Sequence, residues 1–205
     1  MAAPSVSPVG TGLEIVELTE RTWPLLERLF GPRGAVAGCW CTWFRQSARD
    51  FARNSGTANR ELLRGLVRQG APVGLLALEE GEPVGWVAVA PRAGQVRLER
   101  SRIAAPADPA QDPARVWAVT CFFIHHRARR RGVARTLLDA AVAHATRHGA
   151  QSVEGYPVDT AGQCRDSGEL YHGTLNLFLG AGFELVERRG ARRAVVRRSV
   201  AADRS

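Results

Sequence analysis

One stretch limits the possible folds more than any other. Trp117 to Ile124 is apolar at nearly every residue and runs through a short basic turn into an amphipathic segment. A half-exposed strand alternates, whereas a strand covered on both faces reads as a continuous apolar run. Downstream, over Arg131–His148, the residues Val133, Leu137, Leu138, Ala141, Val142 and Ala145 fall on one helical face. Arg147 and His148 suit the negative end of that helix, and Gly149 its cap. Val153–Val158 reads as the next strand. Strand, helix, strand implies a right-handed crossover and a locally parallel pair.

The remaining segments build a mixed α/β sheet around that unit. Leu13, Ile15 and Val16 open a first strand, and Thr22 is positioned to cap a helix carrying Leu25, Leu26, Leu29 and Phe30, ended by Gly31-Pro32. Cys39-Trp40-Cys41-Thr42-Trp43-Phe44 forms an aromatic, cysteine-rich loop or short strand. A second helix spans Thr57–Gln69, with Leu62, Leu63, Leu66 and Val67 on one face and Gly70 as its stop. Val73–Leu78 and Val84–Ala90 read as a hairpin, and residues 103–114 as a surface loop. A late helix is expected from about Glu169 to Leu179, ended by Gly180-Ala181-Gly182. Phe183–Glu187 and Ala194–Val200 close the chain as antiparallel strands. The 205 residues fit one domain over residues 12–200, with loose tails at 1–11 and 201–205.

Charge narrows the partners. All 28 basic residues are Arg, and the net charge of +8 attracts nucleic acid, acidic surfaces or phosphorylated small molecules. Their placement discriminates: Arg127, Arg129, Arg130, Arg131 and Arg135 crowd one strand-to-helix turn, and another group lies between Arg188 and Arg198. No run approaches the roughly 20 apolar residues of a membrane span. Met1–Gly12 lacks a secretory pattern, and 4 cysteines are too few for a disulfide scaffold, so a cytoplasmic setting is expected. Cys39-x-Cys41 with isolated Cys121 and Cys164 matches no zinc spacing, and no metal is expected.

The turn carries the chemistry. The first N–H groups of a helix lack internal partners and sit at the positive end of its dipole, and a glycine there lets a phosphate approach. Solvated Arg at an ordinary helix start is the plain alternative. A Walker loop is excluded because G-x-x-x-x-G-K-[ST] is absent, and G-x-G-x-x-G is absent too.

Arg129-x-x-Gly132-x-Ala134, after an apolar strand and opening a helix, resembles the pyrophosphate-binding motif of GNAT-type N-acetyltransferases, Q/R-x-x-G-x-G/A. Asn176-Leu177-Phe178-Leu179-Gly180-Ala181-Gly182-Phe183 is similar to that family's late helix, L-Y-x-x-x-G-F. The resemblance implies a mixed sheet split into a V with acetyl-CoA in the cleft. It places Phe122, Phe123 and Ile124 beside the acetyl and pantetheine groups. Arg129, Arg130, Arg131, Gly132, Val133, Ala134 and Arg135 would surround the pyrophosphate, and Phe178 would line the cofactor. The implied reaction is direct attack by a primary amine on the thioester.

Two departures bear on mechanism. Phe178 stands where the family has its proton-donating Tyr, so Tyr171, seven residues earlier on the expected helix, is the replacement candidate. Glu154 is the candidate base, sharing a strand face with Tyr156, and an Arg-paired structural Glu is the alternative. Trp40, Trp43 and Phe44 are candidates for the acceptor pocket or for a small core under the loop. The expected acceptor is a small-molecule or protein amine, with a second copy of the chain as a further candidate partner. The competing readings are a non-catalytic acyl-CoA sensor and an Arg-rich nucleic-acid-binding module, although specific nucleic-acid binding is not expected.

Overall fold

A computed structural model describes residues 12–54, 56–105, 110–161 and 170–200. The expected tails at 1–11 and 201–205, and residues 162–169 with Cys164 and the expected helix start at Glu169, lie outside the described residues. Seven strands form one sheet: β1 (Leu13–Glu17), β2 (Gly74–Glu79), β3 (Glu82–Pro91), β4 (Val116–Ile124), β5 (Ser152–Gly155), β6 (Glu184–Arg189) and β7 (Arg193–Ser199). Their order is β1-β2-β3-β4-β5-β7-β6. The β4–β5 pair is parallel and the others are antiparallel. The helices are α1 (Trp23–Phe30), α2 (Ala48–Arg53), α3 (Thr57–Arg68), α4 (Val96–Glu99), α5 (Val133–Arg147) and α6 (Leu175–Gly180). No helix among the described residues is long and apolar enough to cross a membrane.

The sheet has a core on each face. Leu75 and Ala77 of β2, with Val87 and Val89 of β3, pack with Leu137, Leu138 and Ala141 of α5. Their immediate neighbours Leu76, Leu78, Trp86 and Ala88 pack with Leu26 and Leu29 of α1 and Leu63 of α3. Successive residues thus serve opposite cores, so these strands read as unbroken apolar runs. The hairpin between them turns through Glu80 (φ 51°) and Gly81 (φ 82°). Two left-handed residues in a two-residue loop match the right-handed twist of the flanking strands.

Four expectations need correction. The Thr22 hydroxyl donates to the Glu17 carbonyl (2.6 Å) and accepts from the Thr19 N–H (2.8 Å), so it closes the turn after β1 and does not cap α1. The late helix starts at Leu175, because Thr174 caps it by accepting from the Leu177 N–H (3.2 Å) and Gly173 before it is left-handed (φ 78°). Tyr171 therefore lies in a turn, and its helical spacing from Phe178 does not exist. Third, β5 ends at Gly155, with Val158 making only isolated bridges to Thr174 and Arg193. Fourth, α5 begins at Val133, and its amphipathic pattern does not extend back to Arg131. The short helices α2 and α4 were invisible to the periodicity, being too short to show a repeat.

Candidate functional site

The β4–β5 pairing is brief. Val116–Val119 align with Ser152–Gly155, and from Thr120 onward β4 has no strand on that side among the described residues. The parting begins at a bulge: Ala88 faces Cys121 and Val89 faces Val119, leaving Thr120 as the extra residue on β4. A bulge disturbs the ladder and re-aims the groups beyond it, and such features recur beside active sites. The His125 N–H donates to the Val84 carbonyl, so by alternation the backbone groups of Phe122 and Ile124 point away from β3, into the opening.

The far end of that opening is the turn before α5. Gly132 is its N-cap, left-handed at φ 80°, with no side-chain cap and no acidic residue in the first turn. The backbone N–H groups of Arg129 through Ala134 have no acceptor among the described residues. A side chain built on Gly132 would project into open space, so the glycine is required by its backbone angle and leaves the approach clear. The Arg side chains divide. Arg131 is bound to Glu79 (2.5 Å) and Arg135 to Asp139 (2.7 Å), while the Arg129 Nε donates to the Ile124 carbonyl (3.2 Å). Arg127 and Arg130 have no acceptor among the described residues. His125 at the start of the turn is held below its ordinary range, first by partial burial and then by the charges of His126, Arg127 and Arg129. This arrangement fits a diphosphate: unpaired N–H donors, a positive dipole end and free guanidinium groups in one turn.

Between bulge and turn, the edge of β4 is met by the 170–173 segment. The Phe122 N–H donates to the Tyr171 carbonyl (2.6 Å), and His172 Nδ1 donates to the Thr120 carbonyl (2.9 Å). Burial lowers the His172 pKa to about 3, so its ring is neutral, and it packs against Phe44 (centroids 5.5 Å apart). Tyr171 is 37% exposed, its hydroxyl beside Arg193. Burial raises its pKa above the ordinary value, against the pull of Arg193, so the phenol keeps its proton at neutral pH. Among the expected cofactor contacts, Ile124 and Phe122 present backbone groups here. The side chain of Phe123 turns to the opposite face, edge-on to Phe30 (5.4 Å).

Phe178 is not on the cleft wall. Its ring is fully buried, edge-on to Phe122 (6.1 Å) and Phe183 (5.0 Å), and fills the space that a side chain at Gly155 would need. Glu154 and Tyr156 are brought together but are also buried. One Glu154 oxygen accepts from Arg92 Nη1 (2.6 Å) and the Tyr156 hydroxyl (3.0 Å); the other accepts from Arg197 Nη2 (2.8 Å) and Nε (3.3 Å). Arg92 also donates to the Tyr156 hydroxyl, whose ionisation is opposed first by burial and next by Glu154. This is the Arg-paired carboxylate weighed as the alternative. The aromatic loop also divides. Trp40 is core, stacked on Trp23 (6.0 Å), and Phe44 packs with Leu98, Ala118 and Tyr156. Trp43 remains 40% exposed, with the Arg97 guanidinium 3.7 Å over its ring. Arg92, His172, Arg193 and the bulge at Thr120 were not anticipated, since the Glu154, Thr120, Tyr171 and Ala88 they respectively meet are more than 20 residues distant and no local pattern marks them.

Comparison with known proteins accords with this geometry. A comparison with curated protein sequences finds no match. Among solved structures, a GCN5-related N-acetyltransferase from Kribbella flavida is similar at TM-score 0.55 and 16% identity, covering 92% of this chain and 98% of its own. A ribosomal-protein-alanine N-acetyltransferase from Brucella melitensis is similar at TM-score 0.52 and 19% identity, covering 91% and 99%. The paia N-acetyltransferase from Thermoplasma acidophilum, solved in complex with coenzyme A, is similar at TM-score 0.50 and 13% identity, covering 92% and 99%. At these identities the likenesses show a shared fold. The family model for the acetyltransferase (GNAT) family matches residues 39–160, more than half of the chain and including the bulge, the basic turn and α5. The chain therefore belongs to the GNAT family of acetyltransferases.

Proposed function

We propose that the protein binds acetyl-CoA and transfers the acetyl group to a primary amine by direct attack in a ternary complex. The observation that carries this reading is the row of unpaired N–H groups from Arg129 to Ala134, at the end of a strand whose neighbour has parted from it. Acetyl-CoA, when bound, supplies a thioester open to attack by an amine. The turn N–H groups, with Arg127 and Arg130, hold the diphosphate. The Ile124 and Phe122 N–H groups are the donors for carbonyl and amide oxygens along β4, the latter once it is released from Tyr171. The Tyr171 hydroxyl, protonated at neutral pH, is the proton donor to the departing thiolate. Glu154 acts as a positioning residue that ties β5 to β7, because both of its oxygens are already engaged. The acceptor is a small-molecule or protein amine entering past Trp43.

Thiol release from acetyl-CoA with a panel of amines, run beside a binding measurement without acceptor, tests this reading. Release dependent on an amine supports it. Binding without release from any amine supports the acyl-CoA sensor. Absence of binding overturns both.

A further inference from the structure

The loop after α1 reaches across to β4 and brings two thiols together. The Cys41 Sγ lies 3.5 Å from the Cys121 Sγ and donates a hydrogen bond to it, although the residues are 80 positions apart. A disulfide needs roughly 2.0 Å, so the sulfurs are about 1.5 Å from bonding distance. We propose that Cys41 and Cys121 are a site of oxidative modification, closing a disulfide between this loop and β4 when the protein meets a peroxide.

The contact is built into the fold. Ala35, Ala37, Trp40 and Cys41 all adopt positive φ, a conformation that non-glycine residues rarely take unless the surroundings enforce it. The enforcing contacts are visible: Trp40 is buried against Trp23, and Asn59 Nδ2 donates to the Gly38 carbonyl (2.9 Å). Both residues are half-buried, the Cys41 sulfur on the inner side, so an oxidant must be as small as a peroxide to reach the pair.

The chemistry balances. Peroxide converts one thiol to a sulfenic acid and releases water; the second thiol displaces hydroxide from that sulfur, forming the S–S bond and a second water. Two thiols lose two electrons and two protons, and one peroxide becomes two waters. The hydrogen bond that Cys41 donates to Cys121, and burial, raise the Cys41 pKa against the opposing contact with Cys39, so oxidation accelerates as pH rises. Cys121 separates Thr120 from Phe122, the two residues whose backbone meets the 170–173 segment. A bridge there ties the loop to the opening of the sheet. Any effect on acetyl transfer rests on the proposed function, whereas the cross-link does not.

The test uses the Cys39→Ser/Cys164→Ser chain, in which Cys41 and Cys121 are the remaining thiols, beside the unmodified protein. Each is treated with hydrogen peroxide, alkylated, digested and read by mass spectrometry. The expected result is a linked peptide pair joining Cys41 to Cys121 in both proteins, lost after dithiothreitol, with the variant's titratable thiols falling from two to none. A Cys39–Cys41 linkage in the unmodified protein, intermolecular linkage, or sulfinic acids without a linked pair would overturn the proposal. Because the unmodified protein decides alone, a variant that fails to fold does not protect the idea.

Discussion

At the scale of single residues, Phe178 and Glu154 show how burial changes a role suggested by position in the chain. Phe178 occupies a motif position associated with proton donation, yet its ring is sealed between Phe122, Phe183 and the bare backbone of Gly155. Gly155→Ala would drive a methyl group into that ring. Stability should fall by about 1–3 kcal/mol, read from the denaturant midpoint. Glu154 stands between two guanidinium groups, with the Arg92 side chain 3% exposed and that of Arg197 18% exposed. Glu154→Gln keeps the shape but leaves buried positive charge uncompensated, so unfolding in urea should show a loss of about 3–5 kcal/mol. A fully stable Gln variant would contradict the structural role. Tyr171→Phe removes a hydroxyl at the cleft and little else. Turnover should fall by roughly 10²-fold with acetyl-CoA affinity almost unchanged. A fall in affinity alone would make Tyr171 a binding contact.

At the scale of elements, the start of α5 is where backbone geometry and charge meet. Gly132→Glu places a carboxylate at the N–H groups and also forces a left-handed side-chain residue. Acetyl-CoA affinity should drop at least about tenfold, or 1.4 kcal/mol. Gly132→Ala serves as the control: it carries the backbone strain of about 1–2 kcal/mol in stability without the charge. Calorimetric titration of both separates charge from strain. The crossover from β4 through α5 to β5 was legible because its strands are apolar on both faces and its helix has one long stripe. The basic turn was legible because Gly132 and its Arg neighbours are contiguous. The start of α6 was missed because Leu175, Phe178 and Leu179 continue a helical spacing that includes Tyr171, while a Gly-Thr cap overrides it. The pairing of Glu154 with Tyr156 was legible from strand alternation, but which Arg residues bind it was not. Its partners Arg92 and Arg197 come from β3's end and β7, and only sheet order makes them neighbours.

For the whole molecule, charge and protonation give two further expectations. The net charge of +8 should produce DNA binding that is weak, indifferent to sequence and steeply weakened by salt. Titrating duplexes of differing sequence across a salt series checks this, and tight selective binding at physiological salt would revive the nucleic-acid reading. Two buried imidazoles contribute to the acid response. Burial, the larger influence on each, lowers His172 to about 3 and His144 to about 4, with Glu17 opposing the shift at His144. Both bind protons more weakly when folded than unfolded, where the ordinary value is about 6.5. Their contribution to stability is therefore whole above about pH 6.5, declines as pH falls toward the folded values, and is gone below them. The slope approaches about 1.4 kcal/mol per pH unit for each ring, measurable as unfolding free energy between pH 7 and 4. The order of the strands has a consequence for synthesis. β7 lies between β5 and β6, so the strand made after both of them is an interior one. As the chain leaves the ribosome, β1 through β4 can assemble in sequence, each against its predecessor. The other wing must wait, with β5 and β6 exposed as unpaired edges and Glu154 without Arg197, until residues 193–199 emerge. That interval is when a nascent chain of this topology is most open to chaperones and to pairing with another copy of itself.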